Sequence, residues 1–324
     1  MGRRCCRWAI RLGFAAIALA MVYAWALATP EIGPATTIPL TPASSKNAAE
    51  GSEQAPLWSF GFVGDTQLGE GIVDKIFAKM QAAQVEFVLH LGDIVDNAEI
   101  DEQWDYVLEQ AARCKLKLMP VVGNHDRMLA YGDRGEIRFR QFFPELPETF
   151  YRFSHRGVGF LMLNSERSLA PWTQQGRFID WQLEQHPHTA VVCLHRPVFT
   201  CGHRDIGNQF LRRVWLHGRL AGTEAALVLS GHHHYYDRTK PLDGITYVTS
   251  GGSSHKLYGE ETPDDRTALF KAGENHYGLA GVFSDRLDIR ILDVDGKEFD
   301  RFTVQLAGQD AKRDTLAHRG ASKR

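Results

Sequence analysis

Short apolar runs recur between residues 57 and 306, and polar residues follow most of them at once. Trp58-Ser59-Phe60-Gly61-Phe62-Val63 leads into Gly64-Asp65, and Phe87-Val88-Leu89-His90-Leu91 into Gly92-Asp93. Leu118-Met119-Pro120-Val121-Val122 leads into Gly123-Asn124-His125-Asp126, and the run from Val158 to Leu163 ends in Asn164-Ser165. Ala190 to Leu194 ends at His195, Ala225 to Leu229 in Ser230-Gly231-His232, and Ile245 to Val248 in Thr249-Ser250-Gly251-Gly252. Runs this apolar predict strands in sheets covered on both faces. Between several of them the apolar spacing turns helical, over Val73 to Gln84, Glu102 to Ala112, Gln174 to Gln185 and Gln209 to Arg219. Alternating strands and helices predict an α/β layered fold, in which ligands sit at the carboxyl ends of strands.

Outside this body the pattern changes. Arg3, Arg4, Arg7 and Arg11 precede an uncharged, mostly apolar run from Leu12 to Ala28, which closes in Ala26-Leu27-Ala28. A basic start, an apolar stretch and a small-x-small site predict residues 1–28 to be an export signal, either cleaved or retained as a membrane anchor. The remainder is then expected outside the cytoplasm, secreted or tethered through residues 12–28. Residues 29–56, rich in Pro, Ala, Thr and Ser, read as a linker, 57–306 as one folded domain and 307–324 as a loose polar tail.

Composition narrows the function classes. The net charge of -2 offers no basic surface for nucleic acid. Beyond Cys5 and Cys6, the body holds Cys114, Cys193 and Cys201 without a Cys-x-x-Cys pair, which argues against a cysteine zinc site. Cys193 and Cys201 are placed to be either a disulfide or free buried thiols.

The strand ends carry the chemistry: Asp65 with Gln67, Asp93 with Asp96, Asn124-His125-Asp126, His195, and His232-His233-His234. Taken singly, a Gly-Asp is usually a turn and a lone His a hydrogen-bonded residue. Five strand ends with oxygen and imidazole donors are a different matter. The mixture suits Mn, Fe, Zn, Co or Ni and argues against Ca or a soft Cu(I) site. Glycines before Asp65, Asp93, Asn124 and His232 are expected to let the backbone turn these side chains over the sheet edge.

In order, Gly-Asp-x-Gln, Gly-Asp-x-x-Asp, Gly-Asn-His-Asp, His-x-Pro and Gly-His-x-His resemble the calcineurin-like metallophosphoesterases over roughly Phe60 to Gly252. The resemblance implies a four-layer αββα sandwich of two mixed β-sheets flanked by helices. It implies a phosphoric ester hydrolase with two metal ions (Mn, Fe, Zn or similar). Asp93 is then the bridge, Asp65 and His234 complete the first site with Gln67 as an additional ligand, and Asn124, His195 and His232 complete the second. The implied nucleophile is a hydroxide between the ions. His125 assists the leaving group, oriented by Asp96 or Asp126. Two ions roughly 3.5–4 Å apart would clamp a phosphoryl group during in-line displacement.

The chain departs from the family where Gln67 replaces a His, and where Asn97 follows Asp96 in place of a phosphate-holding Arg. Arg196 or Arg127 is a candidate substitute, and His255 a candidate lining residue of the substrate pocket. His233 is expected to point away from the metals. The motifs do not separate monoester from diester hydrolysis. The alternative from another class is a non-catalytic or weakly active binding protein on the same fold, for which Gln67 is the one supporting residue.

Overall fold

The computed structural model describes residues 55–128, 134–202 and 206–306, without the side chains of 206–208. The expected signal, nearly all of the linker and the tail lie outside the described residues. Among the described residues no helix is long and apolar enough to cross a membrane.

Two mixed sheets face each other. The first runs β13-β12-β11-β1-β2-β3, from Glu298–Gln305, Arg286–Asp293, His276–Val282, Trp58–Val63, Val88–His90 and Leu118–Pro120. Its strands β1, β2 and β3 are parallel, and β11 to β13 continue it antiparallel. The second runs β10-β8-β9-β7-β6-β5-β4, from Thr267–Lys271, Tyr236–Thr239, Thr246–Ser250, Leu227–Ser230, Thr189–Leu194, Val158–Leu163 and Tyr151–His155. Here β5, β6, β7 and β9 are parallel. This is the two-sheet, helix-flanked sandwich that the motifs imply.

Both faces of the second sheet are buried, which explains its unbroken apolar runs. Side chains alternate across a strand, so Phe160 and Met162 of β5 enter the core between the sheets, while Leu161 and Leu163 face the flanking helices. Val191 and Cys193 of β6 divide from Val192 and Leu194 in the same way. An aromatic seam joins the sheets: Phe60 and Phe87 each meet Phe160 edge to face at 5.4 Å, and Phe87 meets Phe153 at 5.5 Å.

Helices cover the outer faces. Helix α1, Ile72–Ala82, buries Ile72, Val73, Ile76, Phe77 and Met80, a stripe at helical spacing. Helix α2, Asp101–Arg113, buries Trp104, Val107 and Ala111. The short α3, Asn124–Arg127, and α4, Arg134–Phe142, follow. Helix α5, Gln174–Gln185, starts where the Thr173 hydroxyl accepts the Gly176 N–H at 3.0 Å. The helix expected over Gln209 to Arg219 is broken: α6, Ile206–Arg212, passes through a π-helical turn at Arg213–His217 into α7, Gly218–Leu220. Cys114, Cys193 and Cys201 are free thiols, so the disulfide alternative is not realised.

Candidate metal centre

Every turn that carries a candidate ligand leaves the carboxyl end of a parallel strand. Asp65 follows β1, Asp93 follows β2, Asn124 follows β3, His195 follows β6, and His232 and His234 follow β7. The two sheets place these ends side by side. Asp65, Asp93 and His232 adopt left-handed backbone, with φ of 59°, 52° and 69°. Such conformations are uncommon for residues other than glycine and collect at functional sites. The preceding glycines mostly serve a different purpose from the one expected. Gly92 alone of the four has a positive φ, 87°. At Gly231 the need is space, because a Cβ there would lie 2.4 Å from Asp65 Oδ2.

Four donor atoms converge in one half of the centre. His195 Nε2 lies 3.3 Å from Asp93 Oδ2, 3.1 Å from Asn124 Oδ1 and 3.2 Å from His232 Nδ1. Asp93, His195 and His232 form a group with the spacing of metal ligands. In the other half His234 Nε2 lies 3.3 Å from Asp65 Oδ1. Asp93 Oδ2 also faces the Gln67 amide at 3.3 Å, so Asp93 stands between the halves. Backbone donors hold both carboxylates. The His125 N–H donates to Asp93 Oδ1 at 2.8 Å, and the His232 N–H to both Asp65 oxygens at 3.0 and 2.9 Å.

The outer contacts of two histidines match those of metal ligands. His195 Nδ1 donates to the Leu91 carbonyl at 2.9 Å, and His234 Nδ1 to the Lys256 carbonyl. Each contact directs the Nδ1 N–H outward, so that in the neutral ring the Nε2 lone pair faces the cluster. Tyr258 stacks on the His234 ring at 4.4 Å. Gln67 Oε1 is buried and has no hydrogen-bond partner among the described residues. An orphaned buried amide oxygen on a residue whose NH2 meets Asp93 fits a cation ligand.

Electrostatics agree with such a site. Burial raises the Asp65 carboxyl against the pull of His234 and His195. Burial would raise Asp93 also, but His195 and His125 hold it at about 2. Burial disfavours a charged His195, yet Asp93 and Asp65 lift that ring to about 10. Burial, then the charges of His195 and Arg196, push His232 well down and keep it neutral. A cation competes with protons for such groups.

His125 stands at the mouth, its side chain 38% exposed. Its Nδ1 lies 2.8 Å from the Asp96 carbonyl and 3.3 Å from Asp96 Oδ1. Of the two carboxylates expected to orient it, the contact belongs to Asp96. Asp126 is completely buried and accepts the N–H groups of Ile94 at 2.8 Å, Val95 at 3.3 Å and Gly123 at 2.8 Å. Burial, followed by the nearby Asp93, pushes its carboxyl up to about 7. Its role is to tie the β2 and β3 turns together.

The three expected substrate contacts separate. Arg127 turns inward, with Nε 3.2 Å from the buried Glu136 and Nη1 on the Glu166 carbonyl, so it braces the loop. His255 is exposed, its Nε2 lying 3.0 Å from the Glu70 carbonyl. Arg196 stays at the centre, with Nη1 3.1 Å from His232 Nε2 and its Nε 2.6 Å from Glu166 Oε1. His233 is directed to the Tyr235 hydroxyl at 2.5 Å. Sequence reasoning missed Glu166 and Tyr258. Glu166 had a signal, since it directly follows the Asn164-Ser165 strand end.

Fold and centre together define a class, a metallophosphatase-like sandwich with a partial His/Asp metal group at its strand ends. A family model described as calcineurin-like phosphoesterase matches residues 59–236, more than half of the chain, and the chain belongs to this family. It is 23% identical over 251 residues to the uncharacterized protein Rv2577 of Mycobacterium tuberculosis, across 67% of this chain and 47% of that protein. The chain thus spans about half the length of the curated relatives it matches. The fold is similar to purple acid phosphatase PPD1 from yellow lupin, with a TM-score of 0.68, 16% identity, 78% of this chain and 54% of that one. It is also similar to GAP50, the anchor in the inner membrane complex of Plasmodium, with a TM-score of 0.62, 14% identity, 83% of this chain and 95% of that one.

Proposed function

We propose that this chain hydrolyses phosphate mono- or diesters at a dinuclear metal centre. The observation that carries the reading is the convergence of Asn124 Oδ1, His232 Nδ1 and Asp93 Oδ2 on His195 Nε2 at 3.1, 3.2 and 3.3 Å. Asp93, Asn124, His195 and His232 would hold one ion, and Asp65, Gln67, His234 and the shared Asp93 the other. Ions bound there supply Lewis acidity to a phosphoryl oxygen and acidify water. Asn124 donates through a neutral oxygen, so the centre retains positive charge for an anionic ester.

His125 meets the ester from the open side. Asp96 anchors its Nδ1, and the ring is then set to give a proton from Nε2 to the departing oxygen. The His125 N–H holds Asp93, so one residue positions the shared carboxylate and serves the leaving group. We further propose export of the folded domain, on the basic residues and apolar run of residues 1–28 alone. N-terminal sequencing of the extracytoplasmic protein tests it: Thr29 first means a cleaved signal, and Met1 or Gly2 first means an anchor.

The test of the activity is hydrolysis of a chromogenic phosphomonoester and a phosphodiester by the Mn-loaded chain, beside Asn124→Ala and His125→Ala. Turnover by wild type and loss of at least about a hundredfold in each variant is expected. A wild type that binds two ions and turns over neither ester would overturn the proposal.

A further inference from the structure

His125 depends on a turn to which it does not belong. Its Nδ1 meets the Asp96 carbonyl at 2.8 Å and Asp96 Oδ1 at 3.3 Å. Whatever fixes the turn at residues 94–97 therefore fixes the imidazole. Four consecutive backbone N–H groups of that turn go to two side-chain oxygens. Asp126 Oδ1 accepts those of Ile94 and Val95 at 2.8 and 3.3 Å. Gln103 Oε1 accepts those of Asp96 and Asn97 at 3.0 and 2.9 Å.

The Asn97 N–H and the Asp96 carbonyl belong to one planar peptide unit. Holding the N–H on one side of that plane directs the carbonyl on the other, and the carbonyl is the group that meets His125. Gln103 also departs from its usual local duty. It is the third residue of α2, where a glutamine commonly folds back onto the N–H of the residue that caps the helix. Here the capping residue is Ile100, and its N–H goes to the Asn97 carbonyl at 3.1 Å. The Gln103 oxygen reaches past it to the turn. The helix beneath is firmly seated, since the wholly buried Trp104 donates from Nε1 to the Ala98 carbonyl at 3.0 Å and stacks on Phe142 at 4.9 Å.

We infer that Gln103 is a positioning residue: it orients the Asp96–Asn97 peptide so that the Asp96 carbonyl holds the His125 ring toward the leaving group. The inference rests on the reading of His125 given above and names a further residue of that site. Without the Gln103 oxygen the peptide can rotate, its N–H groups turn to water, and the carbonyl leaves His125 Nδ1. Asp93 keeps the His125 backbone N–H in that event, so the damage falls on departure of the alcohol rather than on the ions or on ester binding.

The experiment measures kcat and KM of the Mn-loaded full chain for nitrophenyl and phenyl esters of phosphate, in wild type, Gln103→Met, Gln103→Glu, His125→Ala and the double variant Gln103→Met/His125→Ala. Phenolate is the poorer leaving group and needs the proton more. Gln103→Met should lower kcat roughly tenfold with the phenyl ester and at most about threefold with the nitrophenyl ester, a fraction of the full contribution of a general acid. KM and Mn content should stay at wild-type values. Gln103→Glu keeps an acceptor for both N–H groups and should restore most of the phenyl ester rate. Adding Gln103→Met to His125→Ala should cost nothing further, because the two act as one unit. If Gln103→Met does not fold, Gln103→Asn, whose oxygen is one methylene short, takes its place with the same expectations. Equal losses on both esters, or a further loss in the His125→Ala background, overturns the role of Gln103 alone. A His125→Ala variant that loses no more with the phenyl than with the nitrophenyl ester overturns the leaving-group reading and the inference with it.

Discussion

Gly123→Ala adds one methyl group and tests whether the centre depends on the exact approach of two strand ends. Gly123 has φ -99° and ψ 175°, which any residue adopts, so the substitution introduces no backbone strain of its own. Its Cβ, however, would lie 2.2 Å from both the amide nitrogen and Oδ1 of Asp93. Ordinary contact begins at 3.4 Å, so the β2 and β3 turns must separate by about 1 Å. Overpacking of this kind costs about 1–3 kcal/mol, which a domain of this size survives. The centre should not survive it, because Asp93 would leave both the His125 N–H and His195. A misplacement of about 1 Å costs roughly a hundredfold in rate. The assay pairs metal content after gel filtration with a thermal melt and ester hydrolysis. A folded variant holding fewer than two ions and turning over about a hundredfold more slowly is expected. Full metal content with wild-type turnover would refute the reasoning that the two turns are fitted to each other.

Asp126→Asn should cost about 1–3 kcal/mol of stability, because the amide replaces an acceptor of three backbone N–H groups, while the orienting contact between Asp96 and His125 remains. Urea unfolding beside the pH profile of hydrolysis checks this, and an unchanged stability would contradict it. His276 is wholly buried, and burial lowers its ring to about 4 from 6.5. The unfolded chain therefore binds the extra proton between those values. Stability from this group is complete above pH 6.5 and is lost as pH falls toward 4, up to about 3 kcal/mol. His276→Gln should flatten the slope of unfolding free energy over that window, and an identical slope would assign it elsewhere. Phe160→Ala, which empties the aromatic seam between the sheets, should cost about 3–5 kcal/mol by denaturant melt; a loss below 1 kcal/mol would show that the seam closes over the gap.

The strand ends were legible because each apolar run stops abruptly at a polar turn, as at Leu91-Gly92-Asp93 and Leu194-His195. The helices at 72–82 and 101–113 were legible from a single buried stripe each. Helix α4 is not legible in the sequence, since its buried positions are Gly135, Glu136 and Phe139, which make no apolar period. The break at Arg213–His217 was hidden for the opposite reason, because a π turn preserves helical composition. Strands β11 to β13 lay beyond the motifs, and β11 carries two glycines that blur its alternation. For the side chains, residue type set which could be ligands, but not where each arginine would go. Arg127 and Arg196 look alike in sequence. Glu136 and Glu166, placed by the fold, decide that one braces a loop and the other faces His232.

The candidate ligands divide between the sheets, with Asp65, Asp93 and Asn124 after strands of one, and His195, His232 and His234 after strands of the other. The aromatic seam of Trp58, Phe60, Phe87, Phe153 and Phe160 lies toward the opposite, amino ends of those strands. Mechanically, aromatic packing clasps the two sheets toward one end, and the candidate ligands would form an ionic latch at the other. Ions bound across the latch would lend their binding free energy to closure, about 2.7 kcal/mol per site at a hundredfold excess over Kd. A chelator would then act as a solvent-borne key, loosening the ligand-bearing strand ends first and leaving the aromatic end shut.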